Sequence, residues 1–169
     1  MFQRTVKLFI LAIAFAVVSI ILANPAYAGT ITVTIGVDRF DANATNDCSL
    51  REAIQTANTN AAFAGCQFAG ALGDDVIVFD AGLTTVTISR TVNDGDNNDN
   101  NDGDLDAYVG SVSGTLTIQG PITIEVDNAA LSDRAFDVHS DGSASGAFTL
   151  TQVVVRGGAA DFQHNRGHS

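Results

Sequence analysis

Lysine is nearly absent from this chain. Its one copy, Lys7, lies in the first ten residues, and the other seven basic residues are arginines. Tryptophan is missing, there is a single methionine, and aromatics make up 7%. Against 8 basic residues stand 19 acidic ones, for a formal net charge of −11. A field of that sign repels a phosphate backbone, which argues against nucleic-acid binding, and it repels an anionic membrane surface as well. Beyond the first 28 residues no lysine remains to act as a general base, and no second long apolar run remains to span a membrane. The chain also lacks G-x-S-x-G, H-E-x-x-H and a phosphate-binding loop. Of its three histidines, His164 and His168 lie in the last six residues and His139 stands beside a turn, so all three read as surface residues of no role.

What is present begins with an export signal. Arg4 and Lys7 precede the apolar run Leu8 to Leu22, and Pro25 leads into Ala26-Tyr27-Ala28. A basic start, an apolar middle and an A-x-A exit predict a secretory signal cleaved after Ala28. The apolar stretch is shorter than the roughly 20 residues of a spanning helix. The mature chain is then acidic throughout, with a net charge of about −13. It is expected to be secreted or displayed outside the cell. In that setting Cys48 and Cys66, the two cysteines, are expected to form a disulfide rather than a metal site.

Ser49-Leu50-Arg51-Glu52 has the S-x-x-E spacing of a capping box. Leu50, Ala53, Ile54 and Ala57 then recur at helical spacing, and Asn58 and Asn60 suit a helix end. So short a helix must pack on something. Elsewhere the period is that of strands. Thr30–Val37, Asp75–Phe79, Thr85–Ser89, Thr115–Ile118, Ile122–Val126, Ala135–Val138 and Phe148–Val155 are short, rich in Thr, Val and Ile, and separated by Gly, Asp and Asn. The pattern predicts an all-β protein, a sandwich or a solenoid. LTIQG, ITIEVD and VVVRGG read as weak variants of one unit, which favours stacked rungs slightly.

Cys48-Ser49-Leu50-Arg51-Glu52-Ala53-Ile54 with Ala57-Asn58 resembles the signature of the bacterial CSLREA-domain family of exported proteins. The likeness extends over residues 30 to 158 through the strand before the motif, Cys66, Gly103-Asp104-Leu105-Asp106, Asp133 to Val138 and Leu150 to Gly158. It implies a right-handed parallel β-helix with a short N-terminal capping helix. The implied organisation is a signal peptide (1–28), a strand and disulfide-linked capping helix (29–70), first coils (71–158) and an irregular tail (159–169). In similar proteins more glycine-rich coils follow the glycine pair, so the ending AADFQHNRGHS is expected to reflect truncation. Ser49, Leu50, Arg51, Glu52 and Ile54 are then structural cap residues that cover an open sheet edge; rather than a catalytic Arg51–Glu52 pair, the expectation is a cap-box Glu52 and a surface or rung-edge ion pair. Few coils and an uncovered far end predict edge-to-edge self-association.

Two chemical readings remain. Asp94, Asp96, Asp99, Asp102, Asp104 and Asp106 crowd one stretch that could bind calcium weakly. An EF-hand register fails there, because Val109 stands where a bidentate Glu belongs, and a solvated turn is the plainer expectation. No other cofactor is expected. The family resemblance implies a non-catalytic stalk or adhesin-like role toward extracellular carbohydrate or another surface ligand. The alternative is a carbohydrate-active enzyme, a polysaccharide lyase or hydrolase, with Asp104, Asp106, Asp127, Asp137 and Arg134 as candidates that no spacing pairs.

Overall fold

The computed structural model describes residues 29–68, 73–91, 100–101, 103–110, 114–127, 129, 134–140 and 146–158. The proposed signal segment, the tail after Gly158, and Asp94, Asp96, Asp99 and Asp102 lie outside these described residues. Among the described residues, no helix is long and apolar enough to cross a membrane.

Among the described residues, seven strands and one helix follow one another as β1 (Thr30–Val33), α1 (Leu50–Thr59), β2 (Asp75–Phe79), β3 (Thr85–Ile88), β4 (Leu105–Val109), β5 (Leu116–Val126), β6 (Phe136–Ser140) and β7 (Phe148–Arg156). The fold is mostly strand, and every strand pair is parallel. β1 pairs with β2, and β2 with the first part of β5. The second part of β5 pairs with β3, and β7 lies along both parts. β4 and β6 form a separate parallel pair. The result is a curled, solenoid-like arrangement in which each strand stacks on a later one. Leu105 stands beside Phe136 and Ile122 beside Val153, 31 residues on, whereas the earlier pairs Thr30–Val76, Asp75–Leu116 and Thr85–Thr123 are 46, 41 and 38 residues apart.

β5 was expected as two strands broken at Gly120-Pro121. It is one element that turns a corner there, and the ladder to β7 shifts register between Gln119 and Ile122. β4 was not expected as a strand. Its residues do alternate, with Leu105, Ala107 and Val109 in the core and Asp106 and Tyr108 on the other face, but the run is short and follows an Asp- and Asn-rich stretch that reads as a turn.

The core is a file of inward side chains repeated from strand to strand: Ile31 and Val33 on β1, Ile77 on β2, Val86 and Ile88 on β3, Leu105, Ala107 and Val109 on β4, and Leu116, Ile118, Ile122, Ile124 and Val126 on β5. The in-register positions on the last strands are not covered. Leu150, opposite Ile118, is 39% exposed, and Val138, opposite Ala107, is 45% exposed. Among the described residues, the curled sheet is thus covered at the α1 end and exposed along β6 and β7.

Helix α1 supplies much of the closed end. It packs on β1, β2 and β4. Ser49 Oγ accepts from the Glu52 amide at 3.2 Å, and the Glu52 carboxylate accepts from the Ser49 amide at 2.9 Å, completing the capping box. Asn60 ends the helix in the left-handed conformation, which Asn tolerates better than most residues. Leu50 and Ile54 are buried, and burying each contributes about 1.5–3 kcal/mol. The Cys48–Cys66 disulfide forms, with Cα atoms 4.7 Å apart. Cys48 is also tied to the end of β1, where its carbonyl accepts from the Thr34 amide at 2.8 Å and its own amide donates to Thr34 Oγ1 at 2.8 Å.

Candidate functional site

Two groups of polar side chains stand out. The first seals the closed end. Among the described residues, β4 and β3 have no strand partner on the side where α1 and the segment before it lie. The free backbone groups of β4 are met instead by side chains, and those of β3 by the backbone near Gly36. Asn58 on α1 donates from Nδ2 to the Asp106 carbonyl at 2.7 Å and accepts at Oδ1 from the Tyr108 amide at 2.9 Å. A strand residue opposite Ala107 would make that same pair of bonds, so the Asn58 carboxamide substitutes for a missing strand. Asn100 repeats the device one step earlier: it accepts from the Asp106 amide at 2.9 Å and donates to the Asp106 carbonyl at 2.8 Å. On β3, Thr87 donates to the Gly36 carbonyl at 2.8 Å. A Cβ at Gly36 would lie 2.6 Å from the Thr85 carbonyl oxygen, so only glycine permits this close approach.

Two ion pairs lock this end. Arg51 is 1% exposed. It meets Asp38 with Nε–Oδ1 at 2.6 Å and Nη2–Oδ2 at 2.9 Å, and it donates to the carbonyls of Gly103 at 2.7 Å and Asp104 at 2.8 Å. Asp38 Oδ2 also accepts from the Ser89 and Arg90 amides, both at 2.8 Å. One buried pair thus joins α1, the end of β3 and the approach to β4. Glu52, likewise buried, accepts from Arg39 at 3.1 and 3.3 Å and from the Asp41 amide at 3.0 Å. That carboxylate raises the Arg39 pKa above its ordinary value. Arg51 and Glu52 are therefore not paired on a surface or rung edge: both are buried, and each has a different partner. The neighbouring positions point them to different places, because consecutive helical residues do not share a face.

The second group lies on the outward side of β4 and β6. Register places Asp106 opposite Asp137 and Tyr108 opposite His139. His139 Nε2 stands 2.8 Å from Asp106 Oδ1 and 3.6 Å from Asp137 Oδ2. Its ring stacks on Tyr108 with centroids 4.9 Å apart. Arg134 bridges Asp104, at 2.6 Å, and Asp137, at 3.0 Å. Four of the five candidate residues of the enzymatic alternative, Asp104, Asp106, Asp137 and Arg134, thus come together, and His139 joins them. Asp127 does not: it follows β5, where its carboxylate accepts from the Ala129 amide. The sequence carried a usable signal, since Asp106 and Asp137 sit at the same place in two rung-like phrases, but only register makes them neighbours.

Asp106, Asp137 and His139 are a set that could hold a metal ion, with one ligand atom from each lying within 4.8 Å of the others. A cation there would compete with Arg134, whose guanidinium already neutralises Asp137. Of the six aspartates proposed for calcium, Asp104 engages Arg134 and Asp106 engages His139. Two clefts among the described residues lie elsewhere. One, of about 390 Å³, is lined by Val78 to Thr84 and Gln119 to Pro121, and the other includes Thr30, Thr32, Thr34, Thr45 and Asn46. Neither touches the cluster.

No family model matches this chain, and neither a curated protein nor a solved structure is significantly similar to it.

Proposed function

We propose that this chain is an exported, non-catalytic β-solenoid protein of the CSLREA type, a right-handed parallel β-helix acting outside the cell as a stalk or binding element. The observation that carries this reading is the asymmetry of the two ends. The end near α1 is closed by the disulfide, the capping box and the strand-mimicking Asn58, while β6 and β7 leave core-register side chains uncovered. Among the described residues the seal is at one end, which suits a unit that grows by stacking. Parallel pairing of each strand with a later one supports a helical path, and parallel crossover connections are right-handed in about 98% of cases. The Cys48–Cys66 bond suits an oxidising compartment.

Expression with the native leader tests the reading. The expected product lies outside the cytoplasm with Cys48–Cys66 oxidised, and its light-scattering mass rises with concentration as open ends meet. Retention in the cytoplasm, or a strictly monomeric and thermally stable product, would sink it.

One observation favours the enzymatic alternative: His139 is set between the carboxylates of Asp106 and Asp137 on an outward sheet face. A partly exposed imidazole beside two carboxylates is suited to moving a proton. Incubation with acidic polysaccharides separates the two readings. Retention without cleavage fits a binding element, while release of unsaturated or reducing ends that stops in His139→Ala fits the enzyme.

A further inference from the structure

Gly29 and Asp75 meet at the closed end of the solenoid, 46 residues apart in sequence. Both are buried. The nitrogen of Gly29 donates to Asp75 Oδ1 at 3.1 Å, and the Gly29 carbonyl accepts from the Val76 amide at 2.8 Å, so Gly29 is held on both sides at the start of β1. The fit is close: a Cβ at position 29 would lie 2.5 Å from Asp75 Oδ1 and 2.9 Å from the Phe68 ring. Asp75 Oδ2 is buried with no hydrogen-bond partner among the described residues. Asp75 itself is 1% exposed. A buried carboxylate with one backbone amide on one oxygen and nothing on the other is a poor place for a negative charge. Burial accordingly pushes the Asp75 pKa up to about 6.

We infer that Asp75 is the acceptor site for the chain's own α-ammonium, created when the signal peptide is removed between Ala28 and Gly29. The inference rests on the export reading and on cleavage at that bond. Hydrolysis of the Ala28–Gly29 peptide consumes one water. It leaves a carboxylate on Ala28, which departs with the leader, and an amine on Gly29, which is protonated at neutral pH. The nitrogen already on Asp75 then changes from an amide with one N–H to an ammonium with three. It supplies a full positive charge to the buried carboxylate and donors enough for both Oδ1 and Oδ2. Before cleavage the same contact is an undersatisfied buried acid. Processing thus turns a destabilising group into an ion pair that pins β1 on β2 and completes the closed end.

The test compares two exported forms of the full gene product, the native one and one with an extra alanine inserted between Ala28 and Gly29. Intact mass establishes where each is cleaved. For the native form starting at Gly29, the α-amine is expected to react with an acylating reagent at pH 7 at least tenfold more slowly in the folded than in the urea-unfolded protein. Asp75→Asn is expected to restore the reactivity. The native form's unfolding constant at pH 7 should be at least tenfold smaller than that of the form with the extra alanine, with the gap closing toward pH 4 and in Asp75→Asn. A mass that places cleavage elsewhere overturns both the cleavage reading and the inference. Cleavage at Gly29 with a freely reactive amine, or with equal unfolding constants, overturns the inference alone.

Discussion

Replacing Arg51 by methionine keeps much of the side-chain volume and removes the guanidinium. Two bonds to Asp38 disappear, at 2.6 and 2.9 Å, together with those to the carbonyls of Gly103 and Asp104. Asp38 keeps its two amide donors, Ser89 and Arg90, but its carboxylate is 2% exposed and loses its cation. Removing one member of a buried pair typically costs about 3–5 kcal/mol, because the other charge stays behind. Total stabilities of about 5–15 kcal/mol make that a large fraction, and for a chain of this size it lowers Tm by roughly 10 °C or more. Urea unfolding followed by far-UV circular dichroism at pH 7, in non-reducing buffer, measures the loss. Arg51→Lys should fall in between, since an ammonium keeps the charge and cannot reproduce the planar fork. A double-mutant cycle with Asp38→Asn isolates the pair. A cost for Arg51→Met under about 1 kcal/mol, or a coupling below about 0.5 kcal/mol, would refute the role assigned to this pair in holding α1 to β3 and β4.

Three further outcomes are expected. In a form that keeps residues before Gly29, the folded Asp75 pKa of about 6 lies above its ordinary value of 3.8, so the folded state binds this proton more tightly than the unfolded chain does. That contribution is complete below about pH 4, is lost as pH rises to about 6, and amounts to on the order of 3 kcal/mol; Asp75→Asn should flatten this part of a stability–pH profile. Reducing Cys48–Cys66, which closes a loop with a sequence separation of 18, should cost about 3 kcal/mol and free α1 first, visible as loss of helical signal at denaturant concentrations that leave the strands intact. Asn58→Ala leaves the Tyr108 amide without the acceptor it uses, and should cost about 1–3 kcal/mol and speed hydrogen exchange at that amide; unchanged exchange would mean that the β4 edge is held in another way.

The closed end was the most legible part of the sequence, because its signals are local. A capping box is two residues at fixed spacing, and an apolar helical face is a period, so Ser49, Glu52, Leu50 and Ile54 announced the helix before any contact was known. Short Thr, Val and Ile strands announced an all-β chain for the same reason. The two cysteines and their setting were enough to expect the bond that joins them. β4 escaped because LDAYV is short and directly follows an Asp- and Asn-rich run with the composition of a turn.

What tertiary structure alone decided was partnership. Arg51 and Glu52 are neighbours in the chain, yet one reaches Asp38 and the other Arg39, a division set by the helical rotation between adjacent positions and by what packs on each side. Asn58 reads in sequence as a residue near a helix end; it acts as a strand substitute only because α1 lies along the unpaired side of β4. Asp106, Asp137 and His139 become a cluster through parallel register, which brings side chains about 30 residues apart to neighbouring sites and has no local signature. The sequence determined which segments would be helix or strand, since that depends on each residue's near neighbours. The fold determined which charges are buried and what each one meets, since that depends on stacking between distant turns of the chain.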